Sequence, residues 1–299
     1  MKRTYSLLVF LLLGVLSWSQ DDITLEEHNL FGRVKQIETY QIDYKEVFGK
    51  AQESEKRLFE VMKFNSVGMI VQQDNEEVST EYKYNDSGEV VEKIRNTKSK
   101  LLQELSEKYE YNVYEKSIYN YTGANTYETY IYDKQNNLLM IKKVEIPNKK
   151  EIIIRHFDNT GIQTLKQVYI LNSNASIVRL EAIDKSGTVT HLKVSTYDAQ
   201  NNCIMDEMTM KDGTIHMLHT YAYNEKGILS SKIQKNRLGE IELDYEYKYD
   251  YKYDVQGNWI EKNTYLITTE FGEIRKVLES KQSRIIEYYY TSSMKHSMR

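Results

Sequence analysis

His216 and His219, in "IHMLHTY", are the closest pair among the six histidines of this 299-residue chain. A metal site needs both imidazoles on one side. Residues three apart in a strand point to opposite faces, so no metal site is expected there. HExxH, GxSxG, P-loop and dinucleotide-glycine patterns do not occur in the sequence. Acidic pairs such as Glu76-Glu77 and Asp21-Asp22 are plentiful, but in strands they mark solvated faces or guard an edge. A glycosidase-type pair cannot be selected from them. Cys203 is the lone cysteine, so no intrachain disulfide is expected. The residue types imply no cofactor.

The aromatic residues carry more information. In "LDYEYKYDYKYDVQGNW", Tyr245, Tyr247, Tyr249, Tyr251 and Tyr253 occupy every second position and lead into Trp259. Such side chains on one face of a sheet can stack on sugar rings or anchor a partner protein. Equally, they can cover the core of the sheet itself. "YKYD" occurs twice in succession, so the strand could slip by four residues without changing faces.

The elements that would position this strip follow from a repeat. An aromatic residue, Asp or Asn, two variable residues, Gly or Asn, one variable residue and an apolar residue recur along the chain. The copies begin at Phe64, Tyr84, Tyr132, Phe157, Ile183, Tyr197, Tyr223 and Tyr253. "YNVYEKS" from Tyr111 has the outline of a degenerate ninth. The first turn position is Asn65, Asn85, Asp133, Asp158, Asp184, Asp198, Asn224 or Asp254, whose side chains can accept from backbone N–H groups two residues on. The last is Gly68, Gly88, Asn136, Gly161, Gly187, Asn201, Gly227 or Gly257. That slot demands positive φ, which Gly adopts freely and Asn tolerates best among the rest. Each copy is therefore a hairpin turn. The register predicts cross-turn pairs Phe64–Ile70, Tyr84–Val90, Tyr132–Leu138, Ile183–Val189, Tyr197–Cys203, Tyr223–Leu229 and Tyr253–Trp259. Cys203 thus fills an apolar structural slot.

Between the turns, "STEYKY", "TYETYIYD" and "HTYAYN" alternate with period two, as strands do. The 26 tyrosines and single proline agree with extended β-structure. Less regular return turns are expected at the far ends, among them "NSNAS" near Ser173 and "KDG" at Gly213. Residues 48–60 and 98–110 are read as strands because a repeat strand is due at each. Helices are the alternative, and Leu101, Leu102 and Leu105 have helical spacing.

The basic Met1-Lys2-Arg3, the apolar "YSLLVFLLLGVL" and the small residues Ser17 and Ser19 make residues 1–19 a Sec-type signal peptide. No cysteine lies at the cleavage site, so lipoprotein anchoring is not expected. Residues 20–299 form a single hairpin array with no linker. The formal charge of −4 becomes about −6 without Lys2 and Arg3, with both signs interleaved. No basic block points to nucleic acid. After cleavage no apolar run is long enough for a transmembrane helix.

The "YxYDxxGxW" form at Tyr251–Trp259, its weaker copies, and "LFGRVKQIETY" (Leu30–Tyr40) followed by "FGK" and "KFNSVG" resemble the YD-repeat (RHS-like) family. The likeness is to short members secreted by Bacteroidetes, and it covers nearly the whole mature chain. In large members, hairpin repeats spiral into a shell around a toxin domain. This chain lacks the proline-rich core-terminal motif and the toxin domain. The resemblance therefore implies a partial shell: an all-β meander of repeated hairpins forming a long, curved, open antiparallel sheet.

The expected function is that of an exported, non-enzymatic repeat protein in the periplasm or outside the cell. It would present the Tyr245–Trp259 face to a carbohydrate or an envelope protein. A structural role in which sheet edges pair with neighbouring chains is the alternative, and an extracytoplasmic hydrolase a third reading. The sequence does not specify the oligomeric state.

Overall fold

The computed structural model describes residues 30–47, 50–98, 114–225, 227–238, 241–270 and 273–289. The signal segment, most of 98–110 and the start of "YNVYEKS" lie outside these residues. Among the described residues there are nineteen antiparallel strands. The first nine are β1 (Val34–Val47), β2 (Lys50–Glu53), β3 (Arg57–Phe64), β4 (Ile70–Asn75), β5 (Val78–Tyr84), β6 (Val90–Thr97), β7 (Tyr114–Gly123), β8 (Thr126–Tyr132) and β9 (Leu138–Asn148). Next come β10 (Glu151–Asp158), β11 (Gln163–Leu171), β12 (Ile177–Asp184), β13 (Val189–Tyr197) and β14 (Cys203–Met210). The last are β15 (Ile215–Tyr223), β16 (Leu229–Leu238), β17 (Ile241–Tyr253), β18 (Trp259–Glu270) and β19 (Glu273–Tyr288). Residues 50–53 and 57–60 are therefore strand, as expected. Tyr114 to Ser117 lie inside β7, so the suspected ninth turn does not form there.

The expectation of an open sheet is overturned. Strands β3 to β19 each pair with their sequence neighbours, β1 pairs with β3, and β1 also pairs with β19. Val34 stands opposite Tyr288 and Asp43 opposite Ser280. The short β2 folds back on the far end of β1, leaving an 18-strand closed antiparallel barrel. Closure satisfies two rows of backbone groups that an open sheet would expose at its edges. The accumulated twist of the strands brings those edges together.

All seven predicted cross-turn pairs are in register. The backbone requirement at the fourth position is also met: Asn136 and Asn201 have φ of 63° and 67°, and the six glycines there are likewise positive. Each Asp or Asn works as expected. Asp158 Oδ1, for example, accepts from Thr160 N (2.9 Å) and Ile162 N (3.0 Å). The same register shift follows each turn, since residue 63 pairs with 72 although 64 pairs with 70. Where the extra residue is Thr or Ser, its hydroxyl bonds the carbonyl across the bulge: Thr164 to His156, Thr190 to Ala182 and Ser230 to Ala222.

The distribution of the turns departs from expectation. Two of the supposed irregular return turns, at 172–176 and 210–214, have the same hydrogen bonds and the same shift. Nor do the eight copies line one end. Those at Phe64, Tyr84, Tyr197, Tyr223 and Tyr253 close one rim, while Tyr132, Phe157 and Ile183 close the other. The phase flips twice, because Tyr132 follows Tyr84 after three strands, β6 to β8, and Tyr197 follows Ile183 after the single strand β13. A hairpin closed by one fixed turn is chiral. Used at opposite rims of a ring that always advances the same way, it points its flanking pair to opposite faces. Phe64 and Ile70 are accordingly sealed inside, at 2% and 0% exposure, whereas Val189 on the other rim is an exposed outer residue.

The inward tyrosines staple neighbouring turns together. Tyr84 Oη donates to the Ile70 carbonyl (2.5 Å), Tyr121 to Val90 (3.1 Å), Tyr197 to Ile177 (2.8 Å) and Tyr223 to Cys203 (2.7 Å). Each acceptor belongs to the first residue after the adjacent turn on that rim. Phe64 and Ile70 join Leu30, Val34, Ile37, Met62 and Tyr82 in one apolar cluster beneath the closure. Val144, Ile154, Tyr169 and Leu180 form a second on the far wall.

The turns provide a matched pair of tests. Ala175 occupies the positive-φ slot at 62°, where a Cβ costs about 1–2 kcal/mol and glycine's unfolded-state entropy returns part of the gain. Ala175→Gly should raise stability in urea titration by about 0.5–1 kcal/mol. A Cβ at Gly187 meets nothing within 4 Å but its φ is +84°. Gly187→Ala should therefore cost about 1–2 kcal/mol from backbone strain alone. Opposite signs are the expected result, and equal signs would refute the turn assignment.

Candidate functional site

The ladders separate the two faces of the wall. Lys83, Glu92 and Lys116 form an outer chain of ion pairs across β5, β6 and β7, at 2.5 and 3.3 Å. Lys252, Glu261 and Lys281 repeat it across β17, β18 and β19, at 2.8 and 3.1 Å. Lys143–Glu128, at 2.8 Å, and Arg155–Glu145 continue the charged exterior. The inner face carries Tyr82, Tyr119, Tyr121, Tyr127 and Tyr169, the apolar clusters and a smaller set of charges.

A cavity of about 410 Å³ opens on that inner face between β4 and β11. Successive rungs build it: Thr80 beside Arg95 beside Glu115, Tyr119 beside Thr129 beside Lys142 beside His156, and Tyr121 beside Tyr127 beside Val144. The Tyr121 and Tyr127 rings lie 5.4 Å apart, and those of Tyr119 and Tyr127 lie 6.2 Å apart. Lys93 Nζ sits 5.6 Å from the centroid of the Tyr82 ring. Burial pushes the Glu115 carboxyl above its ordinary value, with Arg95 at 3.9 Å opposing the rise. The His156 ring bonds Gln167 Oε1 at 2.8 Å. Burial, then the Lys142 charge, lowers its pKa to about 4, so the ring is neutral at physiological pH.

The tyrosine strip of β17 lies on the inner face too. Tyr245, Tyr247, Tyr249 and Tyr251 pair with Gln234, Lys232, Thr264 and Lys262, and Tyr253 with Trp259. Tyr245 stacks on Tyr247 with ring centroids 6.1 Å apart, and Trp259 meets Tyr251 edge-on at 6.2 Å. Lys262 Nζ lies 4.7 Å over the Tyr249 ring, and the Arg284 guanidinium lies 3.4 Å over Trp259. The strip therefore lines the wall roughly half-way round the ring from the cavity.

Between them, β13 to β16 hold a compact polar cluster. Asp206 accepts from Ser195 Oγ (2.6 Å) and Tyr221 Oη (3.2 Å) and pairs with Lys193 (3.3 Å). Burial raises the Asp206 pKa, but the Ser195 bond and the Lys193 charge more than reverse it, leaving the carboxyl below its ordinary value. Cys203 pairs with Tyr197 as expected, with its sulfur 3.5 Å from Asp206 Oδ1. Burial, with Asp206 adding, pushes its thiol up to about 11. That is the opposite of activation for a nucleophile.

The alternation argument for His216 and His219 fails locally. His216 is the extra residue of the β14–β15 register shift, and its charge lowers the pKa of His191 after burial has done so. No cluster of three metal-ligating groups occurs among the described residues. No motif in the sequence marks the cavity residues Lys93, Arg95, Glu115, Lys142, His156 and Gln167. The repeat register could have placed them inside, but only after assigning each turn to a rim.

The architecture is thus a closed antiparallel barrel in which one turn recurs at both rims, with a polar aromatic interior. The sequence matches no protein-family model and no curated protein. Among solved structures, a porin-like protein from Bacteroides uniformis is similar, with a TM-score of 0.45 and 10% identity. The match covers 85% of this chain and 98% of that one. The Photorhabdus luminescens Tc holotoxin pore is similar with a TM-score of 0.26 and 13% identity, over 80% of this chain and 15% of that one. No helix long and apolar enough to cross a membrane is present among the described residues.

His156 makes stability depend on pH. The folded ring takes its proton near pH 4, whereas an unfolded histidine does so near 6.5. Between these values the unfolded chain binds the extra proton, so stability is intact above 6.5 and falls as pH drops toward 4. The slope is about 1.4 kcal/mol per pH unit at most. Urea midpoints measured from pH 7 to pH 4 should fall in the native chain and fall less in His156→Gln.

Proposed function

We propose that this is an exported, non-enzymatic binding protein whose tyrosine-rich inner face takes a carbohydrate. The observation that carries this reading is the 410 Å³ inner cavity with Tyr82, Tyr119, Tyr121 and Tyr127 in its wall. Its size falls within the range of small-ligand sites. Aromatic faces suit the C–H face of a sugar, and Lys142, Glu115 and Gln167 supply donors and acceptors for its hydroxyls. An envelope protein is the weaker partner, because the Tyr245–Trp259 strip faces inward. The edge-pairing structural role loses its support, since β1 and β19 close the sheet on themselves. Uniform turn geometry supports kinship with the YD-repeat family.

The charged exterior supports a water-facing barrel in the periplasm or outside the cell. A lysine at the midplane of a lipid-facing strand costs about 2–4 kcal/mol, and Lys143 in β9, Arg155 in β10 and Lys248 in β17 stand near the middle of their strands on the outer face. The chain should accordingly purify as a monodisperse species without detergent. Aggregation relieved only by detergent micelles would overturn the water-facing assignment.

A glycan array probed with the full chain should give saturable binding to a restricted set of small glycans. Tyr127→Ala should weaken that binding by at least tenfold, with the far-ultraviolet β signal unchanged. Binding that ignores Tyr127→Ala, or no glycan bound by the native chain, would sink the reading.

A further inference from the structure

We propose that the inner wall at β18 and β19 is a seat for an anionic group, a carboxylate or a sulfate, held by Arg284 and Lys262. The site lies away from the cavity and does not rest on the carbohydrate reading. Arg284 stacks on Trp259, and its Nε and Nη1 are enclosed without a hydrogen-bond acceptor. Opposite it on the ladder, Thr39 is 2% exposed and its Oγ1 has no partner. Lys262 Nζ rests on the Tyr249 ring and pairs with no carboxylate among the described residues.

Glu60 acts on Arg284 through its charge, but no hydrogen bond joins Glu60 to Arg284 Nε or Nη1. Glu60 Oε1 accepts from Gln73 Nε2 at 2.8 Å, and Gln282 is turned to Gln41 at 2.8 Å. Burial lowers the Lys262 pKa and the Arg284 charge lowers it further, while burial brings Arg284 to about 10. Two neighbouring cations thus share a half-buried wall with one carboxylate charge, Glu60, and the positive charge left over costs free energy unless an anion compensates it. The Trp259 stack fixes the plane of the guanidinium, and a carboxylate or sulfate can take one charge-assisted bond from it and one from the Lys262 ammonium. Nη2 and the Lys262 ammonium, which are not enclosed, form the reachable edge.

Trp259 reports on the site, Trp18 being the chain's other tryptophan. The full chain is titrated with sodium sulfate, sodium glucuronate and glucose, at ionic strength held constant with chloride, while tryptophan fluorescence is read. Sulfate or glucuronate should give a saturable change that glucose does not. The response should need at least tenfold more anion in Arg284→Gln, shift the same way in Lys262→Met, and persist in Tyr127→Ala. Glucuronate binding more tightly than sulfate would identify an acidic sugar as the source, and equal affinity a free small anion. No saturable response, or unchanged affinity in Lys262→Met and in folded Arg284→Gln, overturns the proposal. If Arg284→Gln does not fold, Lys262→Met decides. Glycan binding at the cavity without an anion response would overturn this site alone.

Discussion

The structure depends on the hydrogen-bonded seam between β1 and β19. These strands lie at opposite ends of the chain, and without their pairing the sheet would expose two long edges. The seam is locked at one rim by side chains as well as backbone. Asn258, 1% exposed, accepts from Phe31 N at 2.7 Å and donates to Phe31 O at 2.8 Å and Tyr288 Oη at 2.7 Å. Tyr288 bonds Asp254, and Tyr289 reaches back to the Arg33 and Phe64 carbonyls. The best-formed turn of the chain, Asp254 to Asn258, thereby also fastens the closure.

Closure gives the inner and outer faces different environments, and the turns sort side chains between them. A fixed turn at one rim sends its aromatic residue inward, where a tyrosine can pack and still place its hydroxyl on the neighbouring turn's carbonyl. At the other rim the same turn sends that residue outward, beside the ion-pair chains. One short motif therefore yields a lining and a coat. The inner face is not a dry core, however. Asp206, His156, Glu115, Lys262 and Arg284 all have pKa values displaced by burial or by its compensation. The inner wall holds these charges at a cost in free energy that an apolar lining would not incur.

Local physics was legible from the residues. Positive φ restricts a slot to Gly or Asn, so Asn136 and Asn201 could be recognised as turn residues, and the Tyr253–Trp259 pair followed by counting. The turn at "NSNAS" reads as irregular because Ala175 stands in the slot that favours Gly or Asn. The Gly213 turn likewise reads as irregular because Met210 stands where Asp or Asn is usual. The flip of rim at β13 was visible as a short interval between copies, but its consequence for the faces requires the ring. The cavity was not legible at all: Lys142 and His156 become neighbours of Tyr119 only through three consecutive ladders.

The sequence by itself determined the strand-and-turn alphabet, the register across each turn, and the structural place of Cys203, because these depend on contacts within a few residues. Whether the sheet ends in open edges or closes, which rim each turn occupies, and whether the Tyr245–Tyr253 face looks to solvent or into a barrel were decided by the tertiary structure. The reason is additive geometry. Each hairpin contributes a small twist and a fixed advance that local sequence cannot sum, and only the completed ring converts alternation along a strand into inside and outside.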